Sequence, residues 1–177
     1  MKIKPFDKIP YLQGKRLTIR KLGAADADGV REFTENETVY RYLPTFLYER
    51  KYPDVMRVIN GLYDECLKDS LILGVFEEDS FCGLAEMYGF TDRIHKISVG
   101  YRFMERCWGR GIATETLKLL VDYLYSETDI EIITASTMLE NQASARVLKK
   151  NGFEMVVHAA PEDWGFNEPT LADKWIR

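Results

Sequence analysis

Histidine and cysteine are scarce: only His95 and His158, and only Cys66, Cys82 and Cys107, occur in 177 residues. The cysteines are odd in number and widely spaced, so they form neither a disulfide framework nor a paired-ligand zinc pattern. No metal site is expected, and the thiols read as reduced, as in a cytoplasmic protein. Both histidines fall in or near turns, which favours surface roles over acid–base work. Basic residues are also short: 24 Lys and Arg stand against 28 Asp and Glu, for a net charge of -4. A nucleic-acid binder held by phosphate contacts needs a basic stripe, so that partner is not expected; a cationic substrate suits the balance better. No stretch approaches the roughly 18 apolar residues of a membrane span, and Met1 to Pro10 lacks the apolar run of a signal peptide. Linkers, repeats and low-complexity tracts are missing as well, so residues 1–177 read as a single domain. The sequon Asn36-Glu37-Thr38 is a chance match in this context.

What is present is an ordinary globular composition, 46% hydrophobic and 29% charged, on a chain long enough to bury roughly 70% of its unfolded surface. Leu17 to Leu22 alternates as a strand, and an Ala/Asp-rich helix follows to about Glu35. Pro53 suits a helix start, and Val55, Ile59, Leu62 and Cys66 share one face. Leu71–Glu77, Phe81–Phe90 and Lys96–Phe103 read as three consecutive antiparallel strands. A helix with Leu117, Leu120, Val121 and Leu124 on its core face leads to a strand at Ile130–Ala135, which predicts a parallel pair flanking a cleft. Asn141 is a good N-cap for a helix ending at Asn151-Gly152. Phe153–Val157 and Leu171–Ile176 are expected to close the sheet, with His158–Thr170 as a loop. The class is α/β in a mixed α+β arrangement.

The chemistry-bearing motif is Arg106-Cys107-Trp108-Gly109-Arg110-Gly111-Ile112-Ala113, between a strand and a helix. The first N–H groups of a helix are free and its dipole favours an anion, while glycines allow close backbone approach. Arg106 and Arg110 can add charge-assisted contacts. The loop is therefore either a pyrophosphate seat or a plain glycine-rich connection. It is neither a P-loop, because Ile112-Ala113 stands where Lys-Ser/Thr is needed, nor a dinucleotide fingerprint, because Thr114 stands where the third glycine belongs.

These residues resemble the Gln/Arg-x-x-Gly-x-Gly/Ala signature of the GNAT superfamily of acetyl-CoA-dependent N-acetyltransferases. The block Asn141-Gln142-Ala143-Ser144-Ala145-Arg146-Val147-Leu148-Lys149-Lys150-Asn151-Gly152-Phe153 is similar to that of its RimJ/RimL branch. The resemblance implies the GNAT fold: a central, mostly antiparallel mixed sheet of six to seven strands, splayed between the fourth and fifth, with about four helices. It implies acetyl-CoA as co-substrate, with Tyr101 and Phe103 beside the pantetheine arm. Backbone amides from Arg106 through Gly109, Arg110, Gly111 and Ile112 to Ala113 would hold the pyrophosphate, and Asn141 and Ser144 would line the other wall. Many superfamily members carry a Tyr general acid where this chain has Leu148.

Ser144 is the nearest hydroxyl to that position. It either donates to the departing thiolate or only helps the helix start. Glu86 is the acidic residue best placed to accept a proton from the amine, directly or through water; its other reading is a cross-strand pair. Glu105 and Glu140 are weaker candidates for the same task, and Cys107 is not expected to act as a nucleophile. Tyr40, Tyr42, Phe46, Tyr48, Tyr52 and Trp164 either wall the acceptor pocket or pack the core. The implied activity is transfer of acetyl from acetyl-CoA to a primary amine, on a small molecule or protein N-terminus, by direct attack in a ternary complex. The alternative is a non-catalytic acyl-CoA-binding or sensing module. Neither a membrane nor a nucleic-acid partner is expected, and the protein reads as a monomer or homodimer.

Overall fold

The computed structural model describes every residue from Met1 to Arg177. Eight strands form one sheet: β1 (Leu12–Gln13), β2 (Leu17–Arg20), β3 (Ser70–Glu77), β4 (Ser80–Thr91), β5 (Lys96–Phe103), β6 (Ile132–Met138), β7 (Glu154–Glu162) and β8 (Thr170–Ile176). Their order is β1-β2-β3-β4-β5-β6-β8-β7, and every neighbouring pair is antiparallel except β5 with β6. Four α-helices flank it: α1 (Ala27–Glu35), α2 (Val55–Asp64), α3 (Ile112–Glu127) and α4 (Gln142–Lys150). α1 packs with α2, and α3 packs with α4.

The sheet has eight strands where six to seven were expected, partly because the two-residue β1 precedes β2. Counted on this sheet, the opening expected between the fourth and fifth strands lies between β5 and β6. The core is one cluster in which Leu71, Leu73, Val75, Met87 and Ile97 of the central strands meet Leu117, Leu120 and Leu124 of α3. Alternation along β5 decides what each residue does: Tyr101 points to α4, while Arg102 points to the turn Tyr48–Arg50.

Several boundaries differ from the sequence reading for physical reasons. Pro53 lies outside α2, because the Asp54 carboxylate caps the helix by accepting from the Met56 and Arg57 N–H groups. Cys66 falls past its end, where the Cys66 N–H donates to the Gly61 carbonyl. The strand expected from Ile130 starts at Ile132, since Thr128 first turns the chain by accepting from the Ile130 N–H. The predicted loop His158–Thr170 is strand as far as Glu162. β7 extends there through two register shifts, and at the second Ala159 adopts φ +52° with its N–H held by buried Asp173.

Candidate active site

β5 and β6 pair only at Lys96↔Ile132, Ile97↔Ile133 and Ser98↔Thr134. A 2.8 Å hydrogen bond between the Ser98 and Thr134 hydroxyls spans this last rung. Beyond it the strands part: β6 goes on pairing with β8 to Met138, and β5 goes on pairing with β4 to Phe103. The facing backbone edges of Val99–Phe103 and Ala135–Met138 are left without a strand partner, so an extended ligand can hydrogen-bond there as an inserted strand would.

β5 ends beside the glycine loop. Gly109 and Gly111 adopt φ +68° and +78°, which turns the chain into α3 at no steric cost to glycine. The N–H groups of Gly109, Arg110, Gly111, Ile112, Ala113 and Thr114 have no acceptor within the chain. A row of free amides at the start of a 16-residue helix is a strong anion site.

The far wall is the start of α4. The Asn141 side chain accepts from the Ser144 N–H at 3.2 Å, which is the expected cap. The Ser144 hydroxyl is free of that task and lies 2.9 Å from the Tyr101 phenol across the opening. Burial raises the Tyr101 phenol well above its ordinary value, so it stays protonated. Leu148 is packed in the core at 1% exposure and offers no group to the opening.

On the other side of β5 lies an ionic cluster. The Arg102 guanidinium donates to both oxygens of Glu49, at 2.5 and 2.9 Å, and to one oxygen of Glu86 at 2.9 Å. The Tyr40 hydroxyl donates to Glu49 at 3.2 Å. Burial opposes the charge of Arg102, yet Glu49 and then Glu86 outweigh it and push the group up. Glu86 is therefore an ion-paired residue, and its other oxygen makes no hydrogen bond within the chain and reaches solvent.

A cavity of about 460 Å³ joins the open edge of β5, the glycine loop and the start of α4; of the ionic cluster only Arg102 lines it, and Glu86, Glu49 and Tyr40 do not. Of the sequence-predicted residues, Tyr101, Phe103, Gly109, Gly111, Ile112, Ala113, Asn141 and Ser144 line it, and so does Cys107. The Arg106 and Arg110 side chains, expected to add charge to the phosphate seat, are engaged elsewhere. The Arg106 side chain donates to the Phe81 carbonyl, and the Arg110 guanidinium pairs with Glu77 at 2.6 Å, so neither lines the cavity. The positive charge there comes instead from Arg41, Arg146 and Lys150. Arg146 and Lys150 are spaced i, i+4 on α4, a signal legible in the motif block; Arg41 carries no such signal. Arg16 was also missed: it donates to the Arg110 carbonyl at 2.7 Å and braces the loop from below.

The expected aromatic cluster is dispersed. Tyr42 lines the cavity, Tyr40 serves the ionic cluster, Tyr48 and Tyr52 pack edge to face, and Phe46 is exposed. Trp164 is buried, and its carbonyl accepts from the Thr45 N–H at 2.8 Å, tying the α1–α2 connection to the β7–β8 loop. Of the weaker candidates, Glu105 accepts from the Asn36 side chain at the surface. Glu140 does not line the cavity. Burial, together with the neighbouring Cys107 thiol, pushes the Cys82 thiol up to about 12.

A mixed sheet opened between two parallel strands, with a row of free amides at the adjoining helix start, is the architecture of an acetyltransferase. The chain belongs to the GNAT family: the acetyltransferase (GNAT) domain matches residues 16–154. It is 26% identical over 145 residues to the uncharacterized N-acetyltransferase p20 of Bacillus licheniformis, covering 81% of this chain and 82% of that one. Among solved structures it resembles RimL, the ribosomal L7/L12 alpha-N-protein acetyltransferase, with a TM-score of 0.80 at 14% identity over 96% of this chain and 94% of that one. It also resembles the spermidine N-acetyltransferase of Vibrio cholerae in complex with CoA and spermine, with a TM-score of 0.74 at 15% identity over 93% and 96% of the two chains. No helix is long and apolar enough to cross a membrane.

Proposed function

We propose that this protein transfers an acetyl group from acetyl-CoA to a primary amine, by direct attack within a ternary complex. The observation that carries the reading is the run of acceptor-free amides from Gly109 to Thr114 opening onto the same cavity as the unpaired edge of β5. The amides suit a pyrophosphate and the strand edge suits the amide-bearing pantetheine arm. Arg41, Arg146 and Lys150 fit the remaining phosphate charge. Bound there, acetyl-CoA supplies an activated acyl group and a thiolate leaving group.

The chain's own residues do the rest. Free N–H groups of β5 polarise the acetyl carbonyl. Ser144 donates a hydrogen bond to the departing sulfur. Glu86 keeps one oxygen on Arg102 and offers the other, through water, to the proton that the amine loses. Acceptors of both kinds named for the structural relatives, a protein N-terminus and a polyamine, are compatible with this acidic protein, and both present a cationic amine that must first lose a proton.

The test is thermal and kinetic. CoA at about 100 times its dissociation constant should add about 2.7 kcal/mol, raising Tm by roughly 5–10 °C, while NAD and ATP should not. Thiol release from acetyl-CoA is then followed against polyamines, amino-acid amides and short peptides. Turnover with one class supports the transferase; binding without turnover on any amine supports an acyl-CoA-sensing module instead. Equal shifts with CoA, NAD and ATP would remove the specific claim.

A further inference from the structure

We infer that Tyr101 is a positioning residue that aims the Ser144 hydroxyl proton into the cleft. This rests on the reading above, in which Ser144 donates to the departing sulfur. A serine hydroxyl carries one proton and rotates freely, and on a helix it is drawn to the carbonyl one turn back. As a donor to a ligand it is effective only when that rotation is constrained. Across the opening, the Tyr101 oxygen stands 2.9 Å from the Ser144 hydroxyl and is that hydroxyl's only hydrogen-bond partner within the chain.

The direction of that bond follows from the surroundings. If Ser144 were the donor, the phenol's own proton would be left with the Ser144 carbonyl, at 3.5 Å. If the phenol donates, its proton goes to the nearer oxygen, and the Ser144 proton remains free to point into the cavity that both residues line. The phenol is itself held firmly. Its ring packs at 5.9 Å from that of Phe103, and its backbone is in register opposite Ala85 of β4. Leu148 lies in the core, so the opening receives its phenol from the strand wall, and this phenol acts on the leaving group only through Ser144.

The test is a double-mutant cycle in turnover. Wild type, Tyr101→Phe, Ser144→Ala and the double variant are compared in kcat at saturating acetyl-CoA and amine, with CoA affinity measured alongside. Tyr101→Phe removes one oxygen and keeps the ring against Phe103, and an unchanged melting temperature checks the fold. Ser144→Ala should lower kcat about tenfold or more, and Tyr101→Phe by about fivefold, with CoA affinity within about threefold of wild type in both. The double variant should match Ser144→Ala within about twofold, because a residue acting through the serine has nothing to aim once it is gone. Multiplying losses would show that Tyr101 acts independently and would overturn the inference. Full activity in Tyr101→Phe beside a loss in Ser144→Ala would overturn it too, leaving the role of Ser144 intact. An unaffected Ser144→Ala would remove the donor role itself.

Discussion

At Gly111 the backbone sits at φ +78°, and a Cβ added there would lie 3.3 Å from the Arg16 guanidinium that braces the loop. An aspartate at this position would meet the left-handed strain, draw Arg16 out of place and set a negative charge among the free amides. Gly111→Asp should therefore weaken CoA binding at least about tenfold in a folded protein, as titration calorimetry would read; an unchanged affinity would move the phosphate site elsewhere. Glu86 poses a different question, since its bond to Arg102 gives it a structural task beside the proposed chemical one. Glu86→Gln keeps the shape and the hydrogen bond to the guanidinium. General base help is worth about 10²-fold or more, so a kcat loss of that order assigns Glu86 the proton step, and a loss under about threefold leaves it as the partner of Arg102 alone.

Between elements, the bond of most consequence joins the short turn Tyr48–Arg50 to the C-terminal end of β5 through Glu49 and Arg102, both almost fully buried. β5 has a strand partner on only one side near its C-terminal end, and this pair anchors that half to the α1–α2 connection. Removing Glu49 leaves the buried Arg102 with a single hydrogen bond to Glu86 as its one remaining ion pair, which costs about 3 kcal/mol. Glu49→Leu should lower Tm on the order of 10 °C, far more than any surface ion pair of the chain. A fall of one or two degrees would mean that the cluster relaxes into water.

A cross-strand pair for Glu86 was legible as one of its two readings, but the cluster was not, because Glu49, Glu86 and Arg102 share no spacing and are brought together by the β4–β5 register and the turn Tyr48–Arg50. β5 and the core face of α3 were legible, since strand alternation and a repeat of Leu and Val at helical spacing are local signals. So were the glycine loop and the Asn141 cap, which depend on residues within a few positions of each other. Lost to the sequence was the extension of β7, whose pairing comes from β8 and from Asp173 holding Ala159 in a conformation its own side chain does not favour. The two arginines of the loop misled for a related reason. Their charge was visible, but their partners, Glu77 and the Phe81 carbonyl, lie in another hairpin.

Across the whole molecule, stability against acid depends on carboxylates that fasten the β2 edge to the helices. Glu115, in the first turn of α3, accepts from the N–H groups of Arg16 and Leu17 and pairs with the Arg16 guanidinium at 3.3 Å. Burial works against its charge, yet those bonds outweigh it and hold its carboxyl below the usual range. Asp26 is in the same position, with burial opposed by Arg20 and by the Gly23 N–H. A carboxyl depressed in the folded state contributes stability above its unfolded value, about 3.9 for Asp and 4.3 for Glu, and loses it as the pH falls through the lower folded value. The Tm of the wild type should therefore fall steeply once the pH drops below about 4.5. Glu115→Gln should be less stable than wild type at pH 7 by about 1–2 kcal/mol, a difference of roughly 3–8 °C. That gap should begin to close as the pH falls below about 4.5, because the wild type then loses the charge the variant never had. Thermal melts of both proteins across pH 3 to 7 decide it: a gap that stays constant over the range would mean that Glu115 contributes by packing, and that the acid sensitivity of the fold resides in other carboxylates.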